Sequence, residues 1–225
     1  MAASPATPDP ARPLRRDAER NRRRILEAAR ELFAEKGAHV TLDDVARWAG
    51  VGVGTVYRRF ADRNALIDAL FAERVDQLAE VAEQSAAMED PWAGLVHLFE
   101  AQIGFQLEDR AFAEVLFKEE AGQEATARAR ERIAPHVIAL IARAKEAGVV
   151  RADLEVGDFP VLNLMFMTMV NATRDVAPDA WRRYLKLVLA GLRPHDGEPP
   201  LPVAAPSIEH VDEMMRCGLR PGSGR

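Results

Sequence analysis

From residue 14 to residue 193 the apolar side chains recur every three to four positions and never sustain an alternation, a spacing that lines one face of a helix and not of a strand. Only Pro91, Pro135, Pro160 and Pro178 interrupt that stretch, while the other ten of the fourteen prolines lie in residues 1–13 and 194–225. Proline removes a backbone donor and clashes inside a helix, so the middle reads as all-α and both ends as flexible. An N-terminal arm (1–13) and a proline-rich tail (194–225) are expected, and Ser207 can cap a short helix over 207–217. At 225 residues and 48% hydrophobic content, the chain has material for one large domain or two small ones.

End signals divide the middle into individual helices. A first, 17–36, places Ile25, Ala29, Leu32 and Phe33 inward, with Gly37 where a left-handed cap belongs. Thr41 opens a short second helix with Asp44 three residues on, the spacing of a capping box, and Ala49-Gly50 closes it. A third spans 53–60, and a fourth starts after Asp62 with Leu66, Leu70, Phe71, Val75, Leu78 and Val81 on one side. Asp90-Pro91 opens the next, whose stripe is Trp92, Leu95, Val96, Phe99 and Ile103. A short helix over 109–118 follows, carrying Phe112, Val115 and Leu116, then a long one from 123 that Pro135 interrupts and Gly148 ends. Segment 159–173 is apolar almost all round, interrupted by Asn163 and Thr168, so it needs cover on nearly every side. The last helix, 178–192, sets Trp181, Tyr184, Leu185, Val188 and Leu192 on a common face.

The stretch TLDDVARWAGVGVGTVYRRFADRNAL, residues 41–66, carries the functional information. Two short helices meet at Ala49-Gly50-Val51-Gly52, with Leu42, Val45 and Ala46 facing inward from the first and Val56 and Phe60 from the second. That is a helix-turn-helix layout, in which the second helix enters the major groove of DNA. Gly50 permits the turn, and Gly54 lets the second helix approach bases closely. Tyr57, Arg58 and Arg59 supply polar groups for phosphates and base edges, since an arginine can pair bidentately with a phosphate or with guanine.

In these residues the sequence resembles the TetR-type one-component transcription regulators. The resemblance rests on Phe33-Ala34-Glu35-Lys36-Gly37, Thr41, Val45-Ala46, Ala49-Gly50-Val51, Gly54-Thr55, Tyr57 and Phe60, and in helix order it extends through residue 193. It implies that Thr41, Tyr57 and Arg63 hold phosphates, while Gly52, Val53, Gly54, Thr55, Arg58 and Arg59 approach the bases. Three positions depart from the family pattern. Gly52 stands where serine is common, Val53 where a polar residue is usual, and Arg63 where lysine is usual. Val53 can touch a thymine methyl but cannot read a hydrogen-bonding edge. The resemblance further implies a helix-turn-helix domain over 14–62, a connecting helix over 63–84, and an effector-binding and dimerisation domain over 85–193. It implies a repressor that binds a palindromic double-stranded operator as a homodimer and is released by a small-molecule effector.

Charge agrees with the motif. The chain is net −5, yet residues 1–75 are net +3 and the remainder net −8. Arg12, Arg15, Arg16, Arg20, Arg22, Arg23 and Arg24 against Asp17 and Glu19 make a basic lead into the first helix, where Arg22 and Arg23 can follow the phosphate backbone. An effector pocket is expected among Phe99, Ile103, Phe117, His136, Asn163, Met165, Phe166 and Met169, because methionines adapt to irregular ligands and a buried asparagine needs a partner. Phe166, Val170, Trp181, Tyr184 and Val188 are candidates for the dimer interface. The alternative is a constitutive DNA-binding or assembly module without effector, its C-terminal half serving only dimerisation or protein docking.

Other function classes find little support. His39, His97, His136, His195 and His210 are scattered without metal-ligand spacing, and Cys217 stands alone, so neither a metal site nor a disulfide scaffold is expected. Adjacent acids such as Asp43-Asp44 point in different directions on a helix, so neither catalysis nor a cofactor is expected. With no apolar leader near the N-terminus and no apolar run of about 18 residues, a cytoplasmic protein without membrane contact is expected.

Overall fold

The Thr41 hydroxyl accepts from Asp44 N and donates to Asp44 Oδ2 (3.2 and 2.7 Å), while Thr41 N donates to the same carboxylate at 3.2 Å. This reciprocal cap starts one of the helices of the computed structural model, which describes residues 11–36, 39–108, 123–195, 197 and 199–217. Every regular element among the described residues is helical. The chain divides into two units, residues 1–70 and 71–225.

In the first unit α1 (Ala11–Lys36), α2 (Leu42–Ala49) and α3 (Val53–Arg59) are followed by the start of α4 (Arg63–Ala87). Ile25, Leu26, Ala29, Leu32 and Phe33 of α1 are buried, as are Val45 and Ala46 of α2, Val56 of α3, and Leu66, Ile67 and Leu70 of α4. Helix α2 packs on both α1 and α3. Helix α1 begins at Ala11 rather than near 17, so residues 11–13 are helical and not part of an arm. Pro13 is tolerated there because the first-turn N–H groups have no intrahelical acceptor. Gly37 and residues 1–10 lie outside the described residues.

The second unit contains the rest of α4, then α5 (Pro91–Glu108), α6 (Gln123–Glu146), α7 (Asp158–Thr173), α8 (Ala180–Leu192) and α9 (Ile208–Cys217). Asp90 Oδ1 accepts from Trp92 N at 2.8 Å, which caps α5 as its sequence suggests. Helix α5 packs on α6 and α7, and α7 packs on α8. Leu95, Leu98, Phe99, Ile103, Leu140, Phe166, Val170, Trp181, Leu185 and Leu189 belong to one core. Helix α6 runs through Pro135 without a break in helical assignment. Glu131 and Pro135 are both exposed, so water can take up the carbonyl that proline leaves unbonded. The expected helix over 109–118 lies outside the described residues. Residues 199–206, expected from sequence to belong to a flexible proline-rich tail, run against the 151–158 turn, and α9 is formed.

Candidate nucleic-acid interface

Gly50 ends α2 in the left-handed region (φ 63°, ψ 37°), and its N–H points at the carbonyls of Ala46 and Arg47. Val51 N donates to Ala46 O at 3.0 Å, completing a glycine-closed helix end. Arg24 Nη2 reaches from α1 to donate to Ala49 O at 2.8 Å, placing a cation at the negative end of α2. Gly52 then starts α3 in extended conformation with no side-chain cap, as its replacement of serine implies, and Thr55 N donates to Gly52 O at 2.8 Å.

Of the seven residues of α3 only Val56 is buried. Val53, Gly54, Tyr57, Arg58 and Arg59 are exposed and Thr55 is half-buried. Val53 and Tyr57, at 45% and 50% exposure, are large apolar groups that a folded core would normally absorb. Arg58 Nη2 donates to Thr55 Oγ1 at 3.3 Å, so these two side chains lie together on the helix. The Asp43 carboxylate beside Tyr57 pushes the phenol pKa up. Thr41 sits at the start of α2 with its hydroxyl engaged by Asp44, whose carboxyl that bond holds below its ordinary range. Arg63 is half-buried at the start of α4, where Nε donates to Val40 O at 3.1 Å and the guanidinium lies 5.4 Å from the Phe33 ring centroid.

On α1, Arg22 is half-buried and Arg23 is exposed, 3.6 Å from Glu19; Arg20 pairs with Asp17 at 2.9 Å. Exposed pairs of this kind are weak and exchange readily for a phosphate. Arg24 is a member of the basic lead that the fold engages internally, and sequence spacing held no sign of this. Trp48 is a surface residue sequence reasoning passed over: half-exposed on α2, it donates from Nε1 to Glu31 Oε2 at 2.6 Å. A tryptophan on the polar side of an eight-residue helix was the available signal.

The expected pocket residues are only partly brought together. Phe99 lies 5.1 Å from Phe159 and 6.0 Å from Phe166, ring centroid to centroid, with Ile103 in the same core and Met169 packed against it. Asn163 Oδ1 accepts from Gln106 Nε2 at 3.1 Å, so its partner is a glutamine of α5. His136 is half-buried; Met165 is instead exposed, and Phe117 lies outside the described residues. The amide oxygens of Gln102 and Gln106 are buried without a hydrogen-bond partner among the described residues. Two glutamines one turn apart on an apolar helix are the sequence signal for them. Of the expected interface residues Phe166, Val170 and Trp181 are buried within the single chain, leaving little apolar surface for a partner, whereas Tyr184 is exposed and Val188 half-buried. Leu187 is exposed beside them. No described helix is long and apolar enough to cross a membrane, and no described cluster of His, Cys, Asp or Glu could hold a metal.

Residues 25–70 match the profile of bacterial regulatory proteins of the tetR family, and residues 90–194 match that of the SbtR-like transcriptional regulator C-terminal domain. A TetR transcription regulatory protein from Mycobacterium vanbaalenii is 32% identical, with 80% of this chain and 99% of that one aligned and a TM-score of 0.59. NalD of Pseudomonas aeruginosa is 27% identical over 80% of this chain and all of its own, with a TM-score of 0.54. An HTH-type transcriptional regulator of Staphylococcus aureus is 43% identical over 54 residues, 24% of this chain and 29% of that relative's length. A relative more than 30% identical along nearly its whole length, with both profiles in register, places this chain in the TetR family of transcriptional regulators with a helix-turn-helix DNA-binding domain.

Proposed function

We propose that the chain is a repressor that binds a near-palindromic operator as a homodimer and leaves it when a small molecule occupies the C-terminal unit. The observation that carries this reading is α3, on which Val53, Gly54, Tyr57, Arg58 and Arg59 are exposed and only Val56 is buried. Arg58 and Arg59 suit guanine edges, Val53 suits a thymine methyl, and Gly52, Gly54 and Thr55 let the helix approach. Thr41, Tyr57 and Arg63 hold phosphates on either side, and Arg22 and Arg23 follow the backbone. Two such heads separated by about 34 Å read half-sites one helical turn apart. Exposed Met165, Tyr184 and Leu187 of α7 and α8 offer the apolar surface for that pairing. Repression is supported by NalD, which is described as the secondary repressor of a multidrug efflux pump.

The amide oxygens of Gln102 and Gln106, buried without a donor among the described residues, with Asn163 and the core of Phe99, Ile103, Phe166 and Met169, and with His136 on α6, which packs on α5, favour effector binding over a constitutive module. A buried acceptor without a donor is costly, and a ligand can supply the donor. Continuous α4, from Arg63 to Ala87, carries the response. A ligand acts only by its preference for the conformation that DNA does not bind. Selection of bound DNA from a random library, followed by affinity measurement at two salt concentrations, tests the reading. The expected result is a near-palindromic site whose log affinity falls steeply with log salt. Shallow, sequence-independent binding would refute it.

A further inference from the structure

Both family profiles stop by residue 194, and among the described residues beyond it Leu201, Pro206 and α9 make defined contacts. Arg193 leaves α8 with its guanidinium 3.6 Å from the centroid of the Trp92 ring. Further on, Pro199, Pro200 and Pro202 have no amide hydrogen, so Leu201 owns the single N–H of residues 199–202. That N–H donates to Asp153 Oδ2 at 2.7 Å. The same carboxylate is gripped by Arg151, Nε to Oδ1 at 2.5 Å and Nη2 to Oδ2 at 3.1 Å. Arg151 also ties in the end of α8, its N–H donating to Leu192 O at 2.9 Å and Nη1 to Gly191 O at 3.4 Å. One ion pair therefore joins the α6–α7 turn, the last turn of α8 and the proline-rich segment.

A second contact lies at the start of α7. Gly157 has φ −64° and ψ −19°, a conformation any residue adopts, so its own backbone does not call for glycine. A Cβ there would collide with the Pro206 carbonyl oxygen and lie 3.8 Å from Ala205 Cβ. The missing side chain makes room for the segment to pass. The segment then ends in α9, where Ser207 O accepts from Val211 N at 2.9 Å, Ser207 Oγ accepts from His210 N at 3.3 Å, and Val211 is buried.

We propose that residues 199–217 are a strap docked on the 151–158 turn, and that the strap pins the start of α7 to the end of α8 and thereby sets the strength of the homodimer. The prolines lower the entropy cost of docking by restricting the undocked segment. The dimer part rests on the function proposed above, because α7 and α8 carry the exposed Met165, Tyr184 and Leu187.

Hydrogen exchange at the Leu201 amide, with sedimentation of the same full-length samples, tests the strap. Gly157→Ala expels it by collision and Asp153→Ala by removing the acceptor, the latter without any clash. Gly104→Ala, where a Cβ meets nothing within 4 Å, is the control. We expect a protected Leu201 amide in the parent, at least about tenfold faster exchange in both strap variants, and a dimer dissociation constant about tenfold weaker, with neither change in the control. A Leu201 amide exchanging at the unfolded rate in the parent, or unmoved by Gly157→Ala, would overturn docking. Faster exchange with an unaltered dimer constant would overturn the link to dimer strength. A parent that is monomeric throughout would instead remove the dimer reading, while the exchange data still decide whether the strap is docked.

Discussion

Gly50 and Gly54 lie four residues apart and serve different ends. Gly50 sits at φ 63°, where an L side chain is strained, and an added Cβ would lie 3.4 Å from the Arg24 guanidinium that bonds Ala49 O. Gly50→Ala is therefore expected to cost about 1–2 kcal/mol in urea denaturation. Gly54 is helical, and a Cβ there would meet only Arg58 Nη1 at 3.8 Å. Gly54→Ala should leave stability unchanged or raised, so a fall in its operator affinity reports the nearness of DNA. Asp44 adds a pH dependence of defined sign. Its carboxyl is held below 3.8 by the Thr41 hydroxyl and N–H, so the stabilisation is complete above that value and fades as pH falls through the lowered one. Wild type and Asp44→Asn should differ in stability from pH 5 to 8 and converge in acid, which thermal denaturation across pH would reveal. Gly50, Thr41 and Asp44 were all legible in the sequence, because each acts within four residues of its partner.

At the scale of the element, the beginning of α4 fastens the reading head. Arg63 occupies a position where lysine would keep the charge, yet its Nε bonds Val40 O and its guanidinium stacks near Phe33. Lysine cannot reproduce the planar stack or that donor geometry. Arg63→Lys should therefore destabilise by about 1 kcal/mol in denaturant titration while keeping most of the DNA affinity that comes from charge. Helix α2 was readable to the residue, whereas α1 was not: its first two turns hold few apolar residues, so no periodic signal marked them. Helix α9 was legible as a capped segment, but its buried Val211 depends on what the strap meets.

For the whole molecule, one charge on the exposed face of α8 separates folding from assembly. Leu187 is 56% exposed, so Leu187→Glu should leave helicity and thermal stability of the protomer nearly intact. In the proposed dimer the same carboxylate would be desolvated. Sedimentation should show monomer at concentrations where the parent is dimeric, and operator affinity should fall with the loss of the second head. Trp181, an equally plausible interface residue by spacing, would be a poor site for this test, because it is buried and its replacement would unfold the unit.

The sequence by itself determined the helical class, the bounds of α2 and the residue chemistry of α3. Each of these rests on period, caps and a turn glycine, which act over less than a dozen residues. Tertiary structure alone decided that Arg24 serves Ala49 O, that Phe166, Val170 and Trp181 belong to the chain's own core, and that Leu201 is bound to Asp153. Those outcomes join residues 25 to 48 positions apart or choose between two faces of one apolar helix, and local periodicity carries no information on either.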